Sequence, residues 1–348
     1  MSEGINVFSA FDGMSCGQLA LERAGIKVKN YFASEVDKYA IKVAKKNYPN
    51  TIHVGDITKV KASDLPKIDL LIGGSPCQGF SLAGKQLNFD DPRSALFFEY
   101  LRLKNELNPD EFILENVMMA SKVRAAITQL IGMEPIAINS ALLSAQNRER
   151  YYWTNIYSSP AGLFGDHYCK IPQPKNKGLY LKDIVQTRVD EKYFLSKRMT
   201  DWLIKHCIKR QAEGNGQRIK ILYENAKSGC LNTVMNKVNL ECDFIPVKEV
   251  IQMNGSKDLN GCQPQQHNRY YNLIGLSPAL VANLSGKAYK VLIEGRIRKL
   301  TPVECERLQT VPDNYTEGVS DTQRYRMLGN GWTVDVISYI LSFSKFRL

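Results

Sequence analysis

Several features that mark common classes of protein are scarce or missing in this sequence of 348 residues. Its eight cysteines form no Cys-x-x-Cys pair and only four histidines accompany them, which argues against a zinc cluster or another metal site. The same spacing argues against a disulfide framework and favours a reducing compartment. No apolar run is long enough to cross a membrane, and the first residues lack the composition of a secretion signal. A globular protein remains, and its length favours one large domain with a second, smaller one.

Positive charge is concentrated in the middle of the chain. Residues 151–297 contain 21 Lys and Arg against 12 Asp and Glu, so this segment carries +9 of the total charge of +11. A solvated basic surface would explain such an excess, but the clustering of one sign in one segment favours a polyanionic partner. On charge alone, nucleic acid is the leading candidate.

The first residues predict a strand, a turn and a helix, which is how nucleotide-binding βαβ units begin. Residues 5–8 favour a strand, Ser15 is a suitable N-cap for the next helix, and Gly25 would end it. The turn contains only Gly13-x-x-x-Gly17, which differs from the Gly-x-Gly-x-x-Gly pattern of dinucleotide-binding proteins. A nucleoside cofactor without phosphates, such as S-adenosylmethionine, is therefore favoured over a dinucleotide.

Acidic residues follow the next two predicted strands. Glu35 comes directly after the strand at 31–34, at a distance from Gly17 that suits the recognition of a ribose diol. Asp56 follows the strand at 51–54. Both carboxylates are expected at the same edge of the sheet.

The segment that we place at the centre of the site is Gly73-Gly74-Ser75-Pro76-Cys77. It follows residues 69–72, an apolar run that predicts a buried strand. The two glycines predict a sharp turn, which would present Cys77 at the carboxyl edge of a parallel sheet. A small buried cysteine is the alternative, but the polar residues that follow favour a nucleophile. Residues 78–93 predict a lid over the site, with a disordered spacer as the alternative.

Three further charged residues are candidates for the site. Glu115 follows the apolar strand at 111–114, where a carboxylate is costly unless it is hydrogen-bonded or used in chemistry. It could cap the next helix, or it could act as a proton donor if its pKa is raised. Arg148 and Arg150 alternate on a predicted strand, so their side chains would face the same way and bind an anion or a polar base edge.

The remaining segments complete a prediction of two domains. Residues 301–308 predict a helix, and a second glycine-flanked turn at 326–334 leads into a closing helix, where it could complete the cofactor pocket. Residues 155–297 lack the βαβ rhythm and predict an irregular, basic domain with scattered strands, one of them at 218–222. We therefore expect a catalytic domain of residues 1–154 and 298–348, interrupted by a recognition domain of residues 155–297.

Taken in order, these blocks resemble the motifs of DNA (cytosine-5)-methyltransferases. The resemblance covers residues 5–155 and 298–343. Two details are more similar to vertebrate de novo enzymes than to bacterial members, namely Phe11-Asp12-Gly13 in the first block and Trp332 near the end. The matching blocks are residues 8–17, Glu35, Asp56-Ile57, 74–78, 91–97, Glu115-Asn116-Val117, Gln146-x-Arg148-x-Arg150, Thr301-Pro302-x-Glu304 and Gly329-Asn330.

The resemblance implies an α/β fold with a Rossmann-like S-adenosylmethionine-dependent methyltransferase sheet and a smaller, irregular target-recognition domain. It implies that the catalytic residues are Cys77, Glu115, Arg148 and Arg150. Cofactor contacts are expected from Phe8, Asp12, Gly13, Gly17, Glu35, Val36, Asp56, Ile57, Ser75, Pro76, Asn330 and Trp332. DNA or lid contacts are expected from Gln78, Phe80, Ser81, Lys85 and Arg93.

The implied reaction begins when the Cys77 thiolate adds to C6 of a flipped-out cytosine, which activates C5 as a nucleophile. Glu115, in its protonated form, would meet the charge that develops at N3. The methyl group then passes from S-adenosylmethionine to C5, the C5 proton leaves, and Cys77 is expelled. Arg148 and Arg150 would hold the flipped base.

The implied partner is double-stranded DNA, with no membrane partner, and the protein is expected to be a monomer in the cytoplasm of a prokaryotic or phage-infected cell. A cognate restriction endonuclease is a further expected partner. The alternatives are a tRNA cytosine methyltransferase of similar fold, a DNA-binding regulator without activity, and a nicotinamide oxidoreductase. Against the tRNA enzyme, this sequence lacks the Cys-Phe-Thr signature of that branch. An inactive regulator would have lost Cys77 or Glu115, and a nicotinamide oxidoreductase explains neither Cys77 nor the arginine pair.

Overall fold

The chain divides into two units by its internal contacts. The first contains Met1–Ile184, Lys227–Lys237 and Pro302–Leu348, and the second contains Val185–Ala226 and Val238–Thr301. This division places residues 155–184 and 227–237 in the first unit and 298–301 in the second, whereas the functional domains with boundaries at 155 and 297 stay a prediction. The computed structural model describes residues 4–75, 92–161, 166–202, 220–221, 226–228, 230–231, 243–246 and 297–347.

A mixed sheet of seven strands forms the centre of the first unit, in the order β3-β2-β1-β4-β5-β7-β6. β1 to β5 are parallel and β7 is antiparallel to both of its neighbours. This architecture confirms the predicted α/β class. The strands are β1 (Ile5–Ala10), β2 (Val28–Ser34), β3 (Ile52–Gly55), β4 (Leu70–Gly74), β5 (Glu111–Val117), β6 (Ile136–Asn139) and β7 (Glu149–Thr154).

Seven helices accompany the sheet in the described part of the chain. Gly25 ends the first of them in the left-handed conformation, as predicted, and its N–H donates to the carbonyl of Glu22. Asp37 caps the second through a bond from the N–H of Tyr39. The helices are α1 (Cys16–Ala24), α2 (Lys38–Asn47), α3 (Pro92–Leu107), α4 (Ser121–Ile131), α5 (Pro302–Leu308), α6 (Asp321–Asn330) and α7 (Val334–Leu341).

The core of this unit is built on β1, β4, β5 and β7. Phe8, Leu71, Tyr100 and Trp153 have no accessible surface. The two polar groups among them are satisfied, because the hydroxyl of Tyr100 donates to the carbonyl of Ile113 and the Trp153 indole donates to Thr128. This packing holds β4 and β5 rigidly side by side.

Gly73 and Gly74 correct one sequence prediction. They do not turn the chain, but continue β4 and pair with Leu114 and Glu115 of β5. A Cβ on Gly74 would lie 2.8 Å from a carboxylate oxygen of Glu115, so glycine is required there for close approach. Pairing with β5 extends β4 beyond the apolar residues 69–72, through Gly73 and Gly74.

The segment at 326–334 also differs from its prediction. Residues 326–330 form the last turns of α6, and only Gly331 to Thr333 connect this helix to α7. The N–H of Gly331 donates to the carbonyl of Met327, which closes the helix. The glycine and asparagine of this segment end a helix where the sequence predicted a loop.

The other strands are short. β8 (Ser158–Ala161) and β9 (Asp166–Cys169) form an antiparallel pair in the first unit. In the second unit, β10 (Lys220–Ile221), β11 (Asp243–Pro246) and β12 (Ile297–Lys299) form one sheet, and β10 lies within the strand predicted at 218–222. Across the described residues, none of the helices is both long enough and apolar enough to span a bilayer.

Candidate active site

A cavity of about 450 Å³ lies at the carboxyl ends of the parallel strands of the first unit. Ligands of α/β proteins bind at this edge because the connecting loops diverge there. Its walls come from the loops after β1, β2, β3, β4 and β5, from the start of β7, and from the end of α6. Among the residues with predicted site roles, the lining includes Asp12, Gly13, Glu35, Val36, Asp56, Ile57, Ser75, Glu115, Arg148, Arg150, Asn330 and Trp332.

Glu35 organises the backbone at one end of this cavity, which we call the β1–β3 end. Its Oε2 accepts from the N–H of Gly13 at 2.8 Å. Its Oε1 accepts from the N–H groups of Val36 and Asp37, at 2.7 and 2.8 Å. A carboxylate has about four acceptor positions, so these three bonds leave capacity for a ligand hydroxyl.

Asp12 is a buried acid beside Glu35. Its carboxylate accepts from the hydroxyl of Ser15 at 2.5 Å and from that of Tyr31 at 2.7 Å. Burial raises the pKa of Asp12 to about 6, although both hydrogen bonds lower it. Ser15 stands at the predicted N-cap position of α1, but it bonds to Asp12 and makes no side-chain cap.

Asp56 and Ile57 form a short helical turn after β3. Asp56 accepts from the N–H and hydroxyl of Thr58, and the backbone bond lowers the pKa of Asp56. The Ile57 side chain is buried. Arg102 of α3 holds this turn by donating to the carbonyls of Ile57 and Val60, at 3.2 and 3.0 Å.

Two predicted cofactor residues do not line the cavity. The Phe8 side chain is completely buried in the core, and it is Phe11 that lies at the wall, with a φ of 57°. Gly17 lies in α1, where a Cβ would meet Ile72 and Tyr31. Gly17 therefore permits close packing behind the cavity wall, and no signal in the sequence pointed to Phe11.

Glu115 occupies the opposite end of the cavity, which we call the β5–β7 end. Its Oε1 lies 3.0 Å from Nε of Arg150, and its Oε2 accepts from the indole N–H of Trp332 at 3.3 Å. Burial lowers the pKa of Arg150, but Glu115, Cys230 and Tyr152 together outweigh it and raise that pKa overall. Glu115 lies inside β5, where the sequence placed it after the strand. Its carboxylate is thus held in one orientation by two partners.

Arg148 lies just before β7, yet it faces the same end of the cavity as Arg150. It is 4% exposed, and its guanidinium donates to the carbonyls of Gly329 and Gly331 at 3.2 and 3.1 Å. Gln309 also donates to the carbonyls of Leu328 and Gly331, at 2.6 and 3.2 Å. These donors hold the segment that carries Asn330 and Trp332, and Gln309 was not found from the sequence.

Ser75 lies at the end of β4, and its hydroxyl accepts from Asn116 at 3.1 Å. Residues 76–91, which follow Ser75 in the sequence, are not among the described residues. Pro76, Cys77, Gln78, Phe80, Ser81 and Lys85 lie outside the described residues, and so does most of the lid predicted at 78–93. Arg93 belongs to the first turn of α3. Within the described residues, no group of three or more His, Cys, Asp or Glu side chains could hold a metal ion.

The fold and the cavity together define an α/β enzyme that binds its ligands at the carboxyl edge of the sheet. The model of the C-5 cytosine-specific DNA methylase family matches residues 5–344. The chain therefore belongs to this family, and it is an enzyme of the DNA (cytosine-5)-methyltransferase class.

Individual relatives agree with this assignment. The chain is 33% identical to the Type II methyltransferase M1.ScrFI of Lactococcus lactis subsp. cremoris, over 97% of this chain and 76% of the relative. It is 27% identical to the orphan methyltransferase M.SPRI of Bacillus phage SPR, over 97% of this chain and 96% of the relative. The structure of the Entamoeba histolytica methyltransferase EhMeth has a similar fold, with a TM-score of 0.70, 17% identity and coverage of 98% of both chains.

Proposed function

We propose that this enzyme methylates C5 of a flipped-out cytosine in duplex DNA through a covalent bond between Cys77 and C6. The observation that carries the proposal is the arrangement of Glu115, Arg150 and Trp332 at the carboxyl ends of β4 and β5. Cys77 is two residues beyond Ser75, whose hydroxyl bonds to Asn116 beside Glu115. The short sequence distance between Ser75 and Cys77 supports a nucleophile that acts beside Glu115.

The cavity fits S-adenosylmethionine in size and in chemistry. Its volume is in the range of pockets for small ligands. Glu35 has acceptor capacity for a ribose hydroxyl, Asp56 and Ile57 would hold the adenine, and Phe11 and Val36 supply apolar walls. Asp12, Gly13, Ser75, Asn330 and Trp332 complete the proposed contacts. When bound, this cofactor supplies the methyl group and its positive sulfonium.

The residues at the β5–β7 end would act on the base. Cys77 adds to C6, which makes C5 nucleophilic and sends negative charge towards N3. Glu115 would place a proton near N3, and Trp332 and Arg150 would keep its carboxyl group aimed at the ring. Loss of the C5 proton after methyl transfer then allows Cys77 to leave.

The partner of the second unit would be the DNA target site. The basic excess of this unit supports this, since its residues 185–226 and 238–301 contain 17 Lys and Arg against 10 Asp and Glu, and phosphate contacts by Lys and Arg make binding strongly dependent on salt. Binding constants measured between 50 and 300 mM salt should fall steeply, and a flat response would contradict a phosphate-binding role for this segment. A cognate restriction endonuclease is supported by the Type II relative and opposed by the orphan phage relative. Both relatives favour a bacterial or phage-infected cell, and we propose that the protein acts there as a monomer.

Trapping with 5-fluorocytosine tests the covalent step. When fluorine replaces the C5 hydrogen of the target cytosine, Cys77 can still add and the methyl group can still be transferred. Fluorine cannot leave as a cation, so the protein should remain bonded to the DNA. We expect a complex that survives denaturing electrophoresis and requires S-adenosylmethionine.

Two cysteine variants make the test specific. Cys77→Ser should lose the complex and the methylation activity, because an alkoxide is far harder to form than a thiolate. Cys169→Ser is the matched control, since its thiol donates to the carbonyl of Ile156 away from the cavity and a hydroxyl can do the same. A Cys77→Ser enzyme with activity within about tenfold of wild type would refute the nucleophile.

A further inference from the structure

Residues 227–228 and 230–231, which we call the strap, belong to the first unit, although the preceding residues 185–226 belong to the second. Residues 185–226 precede the strap, and the second unit resumes at Val238. The strap therefore connects the basic, DNA-directed part of the chain covalently to the catalytic unit. Residues of the strap contact both Arg148 and Arg150.

Lys227 anchors the first end of the strap. Its ammonium group donates to three carbonyls, those of Ala141, Ser144 and Leu179, at 2.5, 3.1 and 2.9 Å. It also lies 5.2 Å from the centre of the Tyr180 ring. An ammonium group has three donors, so this set satisfies Lys227 completely.

Backbone pairing aligns the strap with the residues that precede Arg148. The N–H of Ser228 donates to the carbonyl of Ala145, and the N–H of Asn147 donates to the carbonyl of Ser228, both at 2.8 Å. Ser228 has no accessible surface. The N–H of Leu231 donates to the side chain of Gln146 at 3.4 Å.

Cys230 then meets both arginines. Its Sγ accepts from Arg148 and from Arg150, in each case at 3.3 Å. Arg148 also donates to the carbonyl of Leu231 at 3.4 Å. The strap thus contacts Arg150, which orients Glu115, and Arg148, which holds the Asn330 segment.

We propose that the strap positions Arg148 and Arg150 for catalysis, with Lys227 as its anchor and Cys230 as the contact to both guanidinia. This inference rests on the proposed function of the two arginines. Neither Lys227 nor Cys230 needs to touch the substrate. Because the strap is continuous in sequence with the recognition segment, a shift of that segment on DNA would change the positions of Arg148 and Arg150.

The test compares two substitutions at Cys230, which is exposed. Cys230→Ser keeps an acceptor for both guanidinia, and Cys230→Val removes it. We expect Cys230→Val to lower kcat about tenfold, since a misplaced catalytic group costs up to about a hundredfold. Cys230→Ser should stay within about twofold of wild type, and the Kd for S-adenosylmethionine should be unchanged within about twofold in both variants.

A second pair of variants tests the anchor. Lys227→Met should lower the rate of adduct formation with 5-fluorocytosine DNA about ten- to a hundredfold, and Lys227→Arg should restore part of it. The inference is overturned if Cys230→Val and Lys227→Met both keep the wild-type kcat. It is also overturned if cofactor affinity and kcat fall together, since that is the result of a merely structural role. A wild-type protein that does not methylate DNA would instead refute the proposed function, whichever way the variants behave.

Discussion

The β1–β3 end and the β5–β7 end of the cavity are held together by different kinds of contact. At the β1–β3 end, the bond between Gly13 and Glu35 joins residues 22 positions apart, and the other bonds of Glu35 go to its next neighbours. At the β5–β7 end, Trp332 and Glu115 are 217 positions apart, and Arg148 reaches carbonyls 181 and 183 positions away. The bonds of Glu35 are thus more local than those of Glu115 and Arg148, which join distant parts of the unit.

We expect this difference to separate cofactor binding from catalysis. A change at the β1–β3 end should weaken cofactor binding and leave turnover at saturation nearly intact. At the β5–β7 end, each group is aimed by partners from distant parts of the chain, so a change there should reduce turnover first. Four variants test this division.

Glu115→Gln should have the largest effect. An amide cannot deliver a proton to N3 or pair with Arg150, and general acid catalysis contributes about 10²- to 10⁴-fold. We expect kcat to fall by this factor while the Kd for S-adenosylmethionine changes less than about threefold. Glu111→Gln, at the start of the same strand, is the control, because Glu111 bonds to Ser344 and the N–H of Lys345. That variant should lose stability but keep the turnover of the folded enzyme, and equal losses of kcat in both would count against a proton donor.

Gly74→Ala should reduce turnover less, by about ten- to a hundredfold. The added Cβ would lie 2.8 Å from Oε2 of Glu115 and 2.9 Å from Nε1 of Trp332, so the carboxyl group must move. Gly25→Ala is the control, since no atom lies within 4 Å of its added Cβ and only the φ of 74° opposes it. It should cost about 1 kcal/mol of stability without a change in kcat. An unaltered kcat in Gly74→Ala would contradict a tightly aimed Glu115.

Glu35→Gln should weaken cofactor binding about tenfold, because it replaces charged hydrogen bonds by neutral ones at the β1–β3 end. Calorimetry measures this Kd, and kcat at saturating cofactor should remain within about threefold of wild type. If kcat fell as much as affinity, the separation between the two ends would be wrong.

Asp12→Asn is tested by stability and not by turnover, and its effect should be visible as a pH dependence of stability. The pKa of Asp12 is raised from 3.8 to about 6, so the folded state binds the proton more tightly than the unfolded state. Stability from this group is therefore complete below pH 3.8 and is lost as the pH rises through 6, by about 3 kcal/mol in total. Relative to Asp12→Asn, the wild type should become less stable between pH 4.5 and 7.5 in urea unfolding. A constant difference would mean that Asp12 does not titrate there.

The sequence was most informative where contacts are local. Gly25 and the strand before Glu35 were predicted because turn and strand preferences act within a few residues. Gly73 and Gly74 were misread, since glycine indicates a turn as readily as a close approach. Phe8 was chosen over Phe11 because nothing in the sequence distinguishes a core side chain from one at the cavity wall. Gln309 and Lys227 gave no signal, because a polar residue is ordinarily solvated.

By itself, the sequence determined the family, the α/β class, the acids at the strand ends and the order of the blocks that carry Glu115, Arg148 and Arg150. Only the tertiary structure decided that Gly74 makes room for Glu115 and Trp332, that Arg148 holds the Asn330 segment, and that Cys230 contacts both arginines. Local propensity and hydrophobic period depend on neighbours along the chain, and a sequence displays those directly. A hydrogen bond between residues 217 positions apart depends on strand register and helix packing, which exist only after the chain has folded.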